Sequence, residues 1–184
     1  MLRLLPLVFL ATVALVGCAP APVLGPDGKP VQQIYRIGPG ETAEIQYRML
    51  DAVNALRAAN GAPALQLNSS LNAAAATHSR DMSVQNRPWH FGSDGSSPLE
   101  RVARAGYRGR FLGENISETY ETEIETLAAW MEEPGTRNVI LDPKARDMGF
   151  DFFQEPHGKI WWTMVTGTPD APADVITGTG PDQG

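Results

Sequence analysis

The sequence predicts an α+β domain in which helices cover an antiparallel sheet. Three observations carry this. Apolar residues recur at helical spacing from Ile45 to Met131. The period then switches to two between Met148 and Val165. The 18 glycines and 15 prolines gather towards the two ends of the 184-residue chain, leaving a length that suits one domain with its own core.

Taken in order, residues 1–17 read as an export signal. Arg3 precedes an apolar run from Leu4 to Leu15 that is too short for a bilayer, which takes about 20 residues. Leu15-Val16-Gly17-Cys18 resembles a bacterial lipobox, so Cys18 is the expected lipidation site and lipid the expected membrane anchor. Ala19 after the cysteine, by resemblance to lipoproteins of diderm bacteria, implies an outer-membrane location facing the periplasm. Residues 18–40 read as a tether, with five prolines and four glycines between Ala19 and Gly40.

The folded domain is expected over 41–168. Ile45, Met49, Val53 and Leu56 share one helical face that Asn60-Gly61 closes. A second helix starts with Ser69 or Ser70 as N-cap and aligns Leu71, Ala75, His78 and Met82 before Asn86-Arg87-Pro88 stops it. Ser97-Pro98 opens a third, with Leu99, Val102 and Ala103 inward. Ile124, Leu127, Ala128 and Met131 form the apolar stripe of a fourth, broken by Pro134-Gly135. Met148, Phe150 and Phe152 alternate with Gly149, Asp151 and Phe153. Ile160, Trp162 and Met164 do so with Trp161, Thr163 and Val165, giving an antiparallel hairpin around Pro156-His157-Gly158. Trp161 and Trp162 are expected to fill core on opposite sides of the sheet. Residues 169–184 read as a disordered tail.

Composition narrows the function. Lys and Arg total 15 against 21 Asp and Glu, a net charge of −6, so no nucleic-acid partner is expected. One cysteine excludes a disulfide within the chain and any cysteine-rich zinc site. Neither a Gly-x-Ser-x-Gly elbow nor a second cysteine offers a nucleophile. The glutamates at 118, 121, 123 and 125 read as a solvated face.

Several spaced segments resemble one family together. They are Thr77-His78-Ser79-Arg80-Asp81-Met82, His90, Gly92-Ser93-Asp94-Gly95-Ser96-Ser97-Pro98, Arg101, Gly106-Tyr107 and Gly113-Glu114-Asn115-Ile116. Trp130-Met131, Pro134-Gly135 through Leu141, and Met148-Gly149 complete them. Their order is similar to the bacterial branch of the superfamily of cysteine-rich secretory, antigen 5 and pathogenesis-related proteins, from about Ile45 to Gly167. The resemblance implies an α-β-α sandwich with the antiparallel sheet between helical layers. It also implies a cleft lined by two histidines and two glutamates, which in several members binds a divalent metal.

Carried over by position, His90 matches the first histidine and Glu114 the glutamate of the Gly-Glu-Asn motif. Glu133 matches the second glutamate, with its neighbour Glu132 as the alternative register. The fourth position holds Thr136 where bacterial relatives have histidine. One imidazole and two carboxylates would hold zinc or calcium only weakly. His78 is expected as a core histidine with one nitrogen hydrogen-bonded, and His157 as an exposed turn residue. Three functions remain open: a non-catalytic envelope module binding a peptide, glycan or lipid, a metal-assisted hydrolase of envelope polymers or peptides, and a structural or assembly factor. The incomplete tetrad points away from an enzyme.

Overall fold

The computed structural model describes residues 35–169. The signal, Cys18, the tether as far as 34 and the tail from 170 lie outside the described residues. The chain order is α1 (Thr42–Ala59), β1 (Gln66–Leu67), α2 (Ser69–Gln85), α3 (Pro98–Arg104), β2 (Arg110–Ser117), α4 (Glu123–Glu132), α5 (Pro134–Leu141), β3 (Asp147–Gln154) and β4 (Ile160–Thr168). The strands form one sheet in the order β1-β3-β4-β2. The pairs β3–β4 and β2–β4 are antiparallel, as expected, while the two residues of β1 join β3 in parallel.

Helices cover both faces, making the α-β-α sandwich. On one face Ile45, Met49 and Val53 of α1 pack with Leu127, Trp130, Ile140, Met148, Phe150, Trp162 and Met164. Phe150 stacks on Trp162 with centroids 5.6 Å apart. On the other, Leu71, Ala74 and Ala75 of α2 meet Val102, Tyr107 and Val165. Trp161 and Trp162 are both fully buried, as expected for neighbours pointing to opposite faces of a strand.

Local chemistry corrects several boundaries. The cap of α2 is Asn68, not Ser69 or Ser70: its extended backbone lets Oδ1 accept from the N–H groups of Ser70 and Leu71. Ser97 caps α3 in a reciprocal box with Glu100, but Leu99 and Ala103 are exposed and Arg101 turns inward with Val102. In α4 the inward face is Glu123, Thr126, Leu127 and Trp130, whereas Ile124 and Ala128 are exposed. Glu123 is therefore no solvated residue. Arg48 Nε donates to it at 2.7 Å and pairs its charge on the inner face.

Pro134 opens α5 as well as ending α4, because its missing N–H costs nothing in a first helical turn. Strand β2 lies in the Gly-Glu-Asn segment, whose composition carries no strand signal. Tyr35 and Ile37, inside the span read as tether, pack against the core. The Gln154 side chain accepts from the Ile37 N–H at 3.1 Å and donates to the Tyr35 carbonyl at 2.8 Å.

Candidate functional site

Asn86 adopts a left-handed conformation that ends α2 and turns the chain into the segment carrying His90. That segment is stiffened by its side chains. The guanidinium of Arg87 lies 3.8 Å above Trp89, Trp89 meets Phe91 at 5.5 Å, and the Trp89 indole donates to Gln85 at 2.6 Å. His90 is thereby presented half-exposed, with Nδ1 2.9 Å from Oε1 of Glu114.

Glu114 projects from the middle of β2 towards the α2–α3 layer, and its side chain is 1% exposed. Its other oxygen accepts from Arg101 Nη2 at 2.7 Å, and the same Nη2 reaches the His90 carbonyl at 3.3 Å. Arg101 is buried too, so the two charges leave water as a pair. Burial works to raise the Glu114 pKa. The His90 hydrogen bond and the charge and hydrogen bond of Arg101 outweigh it, and the carboxyl stays below its ordinary value.

His78 lies behind this pair and is wholly buried, as expected of a core histidine. Nε2 is 3.0 Å from the Trp89 carbonyl and 3.6 Å from Oε1 of Glu114. A carbonyl only accepts, so Nε2 carries the proton, and Nδ1 is an acceptor without a hydrogen-bond partner among the described residues. Burial lowers the His78 pKa and keeps the ring neutral.

The other carried-over positions stand apart from this network. Thr136 is in the first turn of α5, where its hydroxyl donates to the Trp130 carbonyl at 2.6 Å. Its own carbonyl accepts from Asn115 Nδ2 at 2.9 Å, so it lies against the face of β2 opposite Glu114. Glu133 joins α4 to α5 and is exposed, as is Glu132; among the described residues neither side chain hydrogen-bonds to His90 or Glu114. His157 is exposed in the β3–β4 turn, 3.1 Å from Glu155.

The donor set does not fit a divalent metal. Both Glu114 oxygens are held, one of them by a permanent cation that would repel a second. Nε2 of His78 is bound to a carbonyl and its Nδ1 is sealed from solvent, while the Thr136 hydroxyl is committed to another carbonyl. Among the described residues no three His, Cys, Asp or Glu side chains are placed to hold an ion. What the arrangement does is orient His90: Glu114 fixes Nδ1 and leaves Nε2 to the outside. Residue patterning passes over the part played by Arg101. The available signal is its position in the register, one turn after Pro98 and thirteen residues before Glu114.

Known proteins agree with this architecture. A protein called YkwD from Bacillus subtilis is 28% identical over 129 residues, covering 70% of this chain and 49% of that protein, so the match spans about half its length. An extracellular protein containing an SCP domain from Bacillus anthracis superposes with a TM-score of 0.64 at 19% identity, over 72% of this chain and 45% of that one. An outer surface protein from Borrelia burgdorferi gives 0.62 at 16% identity, over 72% and 96%. The family model described as the cysteine-rich secretory protein family, CAP, matches residues 50–166, and the chain belongs to that family.

Proposed function

We propose that this chain is a ligand-binding CAP module of the cell envelope, carried on a lipid at Cys18, and not a metalloenzyme. The observation that supports it best is the saturation of Glu114. With Arg101 and His90 on its two oxygens, the carboxylate is neither a free base nor a free metal ligand. The structural relatives described as extracellular or as an outer surface protein support the location. Half-exposed His90 offers a polar contact to a peptide, glycan or lipid. The finer location, an outer membrane facing the periplasm, rests on the segment from Leu15 to Ala19.

Two measurements test this reading. Cys18→Ser is expected to abolish acyl labelling and shift the chain to soluble fractions; labelling that survives the change refutes the anchor. Zinc titrated into the intact chain is expected to bind weakly, and His90→Ala to lose the capture of envelope material by the cleft. Tight zinc binding, or capture indifferent to His90, overturns the module.

A second reading is favoured by one observation: a buried carboxylate holding Nδ1 of a half-exposed imidazole is also how a general base is oriented. Hydrolysis of envelope polymers or peptides that disappears in His90→Gln would favour it.

A further inference from the structure

The exposed charges of the folded domain are unevenly placed. Strand pairing sets Arg110 beside Thr168 and Asp147 beside Gly167, and the Arg146 N–H donates to the Gly167 carbonyl at 2.9 Å. Arg110 and Arg146 therefore stand at the same end of the sheet, two strand spacings or about 10 Å apart. Lys144 precedes Arg146 by two residues, and Arg108, which lines one cavity with Asp147 and Pro169, precedes Arg110 by two. All four are exposed, and among the described residues none has an ion-pair partner.

Further positive charge lies behind them. Buried Arg57 is met by the carbonyls of Ile140, Asp142 and Ala145 rather than by a carboxylate, and burial together with repulsion from Arg146 lowers its pKa. The carboxylates at this end are committed within the fold. Asp142 accepts from the Lys144 N–H at 2.8 Å, and buried Asp147 accepts from the Tyr107 hydroxyl and the Gln66 amide. This end is thus basic in a chain whose net charge is −6. Glu118, Glu121 and Glu155 lie past the other ends of β2 and β3, where Gln154 also holds the chain at Tyr35.

We propose that this basic end is a docking surface for an anionic lipid membrane, met through Arg108, Arg110, Lys144 and Arg146. The surface depends for its setting on the anchor proposed above: a chain held by lipid at Cys18 is already confined beside phosphate headgroups, whereas an acidic protein would have to be met by diffusion. Each Lys or Arg brought close to an anionic bilayer adds an attraction that fades within a Debye length, so four cations on one end turn that end towards the membrane. Chain length allows it. The seventeen residues 18–34 reach at most about 60 Å, while β3, whose far end lies by Tyr35, spans about 26 Å. Glu114 follows Arg110 by four residues along β2, so docking would hold the Glu114–His90 pair roughly 13 Å from the docked end, close to material at the membrane face.

The lysines of the chain, Lys29, Lys144 and Lys159, provide the measurement. The intact lipidated chain is placed on vesicles of phosphatidylcholine alone or with about 30 mol% phosphatidylglycerol, and acetylation of each lysine by a soluble reagent is followed by mass spectrometry. At about 50 mM salt Lys144 should react about fivefold more slowly on the anionic vesicles, and Lys159, at the far end beside Glu118, should be unchanged. About 500 mM salt should restore Lys144. Arg108→Gln with Arg110→Gln should do the same, while Arg36→Gln with Arg80→Gln, which removes equal charge elsewhere, should not. Equal Lys144 rates on the two vesicles, or equal effects of the two double variants, overturn the inference. Protection by soluble polyglutamate as strong as by vesicles also overturns it, because an acidic protein then fits as well. So does protection on neutral vesicles that vanishes when Asp170, Asp174 and Asp182 are changed to Asn, since the end then belongs to the chain's own C-terminal segment. If acyl labelling survives Cys18→Ser while Lys144 is protected, the anchor falls and the surface stands. If labelling is lost in that variant but Lys144 of the lipidated chain stays reactive on anionic vesicles, the anchor stands and the surface falls.

Discussion

At the scale of single residues, the site is one buried ion pair with two imidazoles against it. Arg101→Met leaves Glu114 buried without its cation, and breaking such a pair costs about 3–5 kcal/mol. Glu114→Gln should cost less once Arg101 is already gone, so the double variant should be far from additive in urea unfolding; additive losses would separate the two residues. His78 sets a pH dependence. Its folded pKa is lowered, so below the ordinary histidine value of about 6.5 the unfolded chain binds a proton that the folded chain refuses. Stability should therefore fall as pH drops below that value. Glu114, whose carboxyl is also lowered, adds its own loss at lower pH, below about 4.5. Replacing His78 with Gln should flatten the upper part of the urea-midpoint profile while leaving the lower part, and an unchanged slope between pH 5 and 7 would remove His78 as its cause.

At the scale of elements, the contact of α2 with the sheet depends on a missing side chain. A Cβ on Gly149 would collide with the backbone of Leu71. Gly149→Ala should cost about 3 kcal/mol, the upper part of the usual range for overpacking, because backbone and not a movable side chain is in the way. Asn68→Ala removes only the cap of the same helix and should cost about 1 kcal/mol. Denaturant midpoints of the two variants rank these effects; equal losses would mean that α2 can shift off β3. The Met148-Gly149 segment, read in the sequence as a motif, thus has a physical basis in close packing.

At the scale of the whole molecule, the folded unit begins earlier than the apolar periodicity suggests. Tyr35 and Ile37 add core contacts and two hydrogen bonds to Gln154. A chain of residues 35–169 should unfold cooperatively at a higher urea midpoint than one of residues 41–168. Equal midpoints would return residues 35–40 to the tether. Among the described residues no helix is long and apolar enough to cross a membrane.

The sequence by itself determined the layered α+β class, because side-chain periods of 3.6 and 2 are local properties of helices and strands. It also singled out His90 and Glu114 through the register of several motifs. Only the tertiary structure decided which polar residues turn inward. Arg57 lies on the buried face of α1 and donates to carbonyls of Pro63, Ile140, Asp142 and Ala145. Arg101 displaces Leu99 from the inner face of α3, and Glu123 displaces Ile124 in α4. In each case a partner comes from another element: Arg48 lies 75 residues from Glu123, Ile140 lies 83 from Arg57, and Glu114 lies thirteen from Arg101. A buried charge is tolerable only where such partners converge. Periodicity cannot register that convergence, because it arises when separate elements pack.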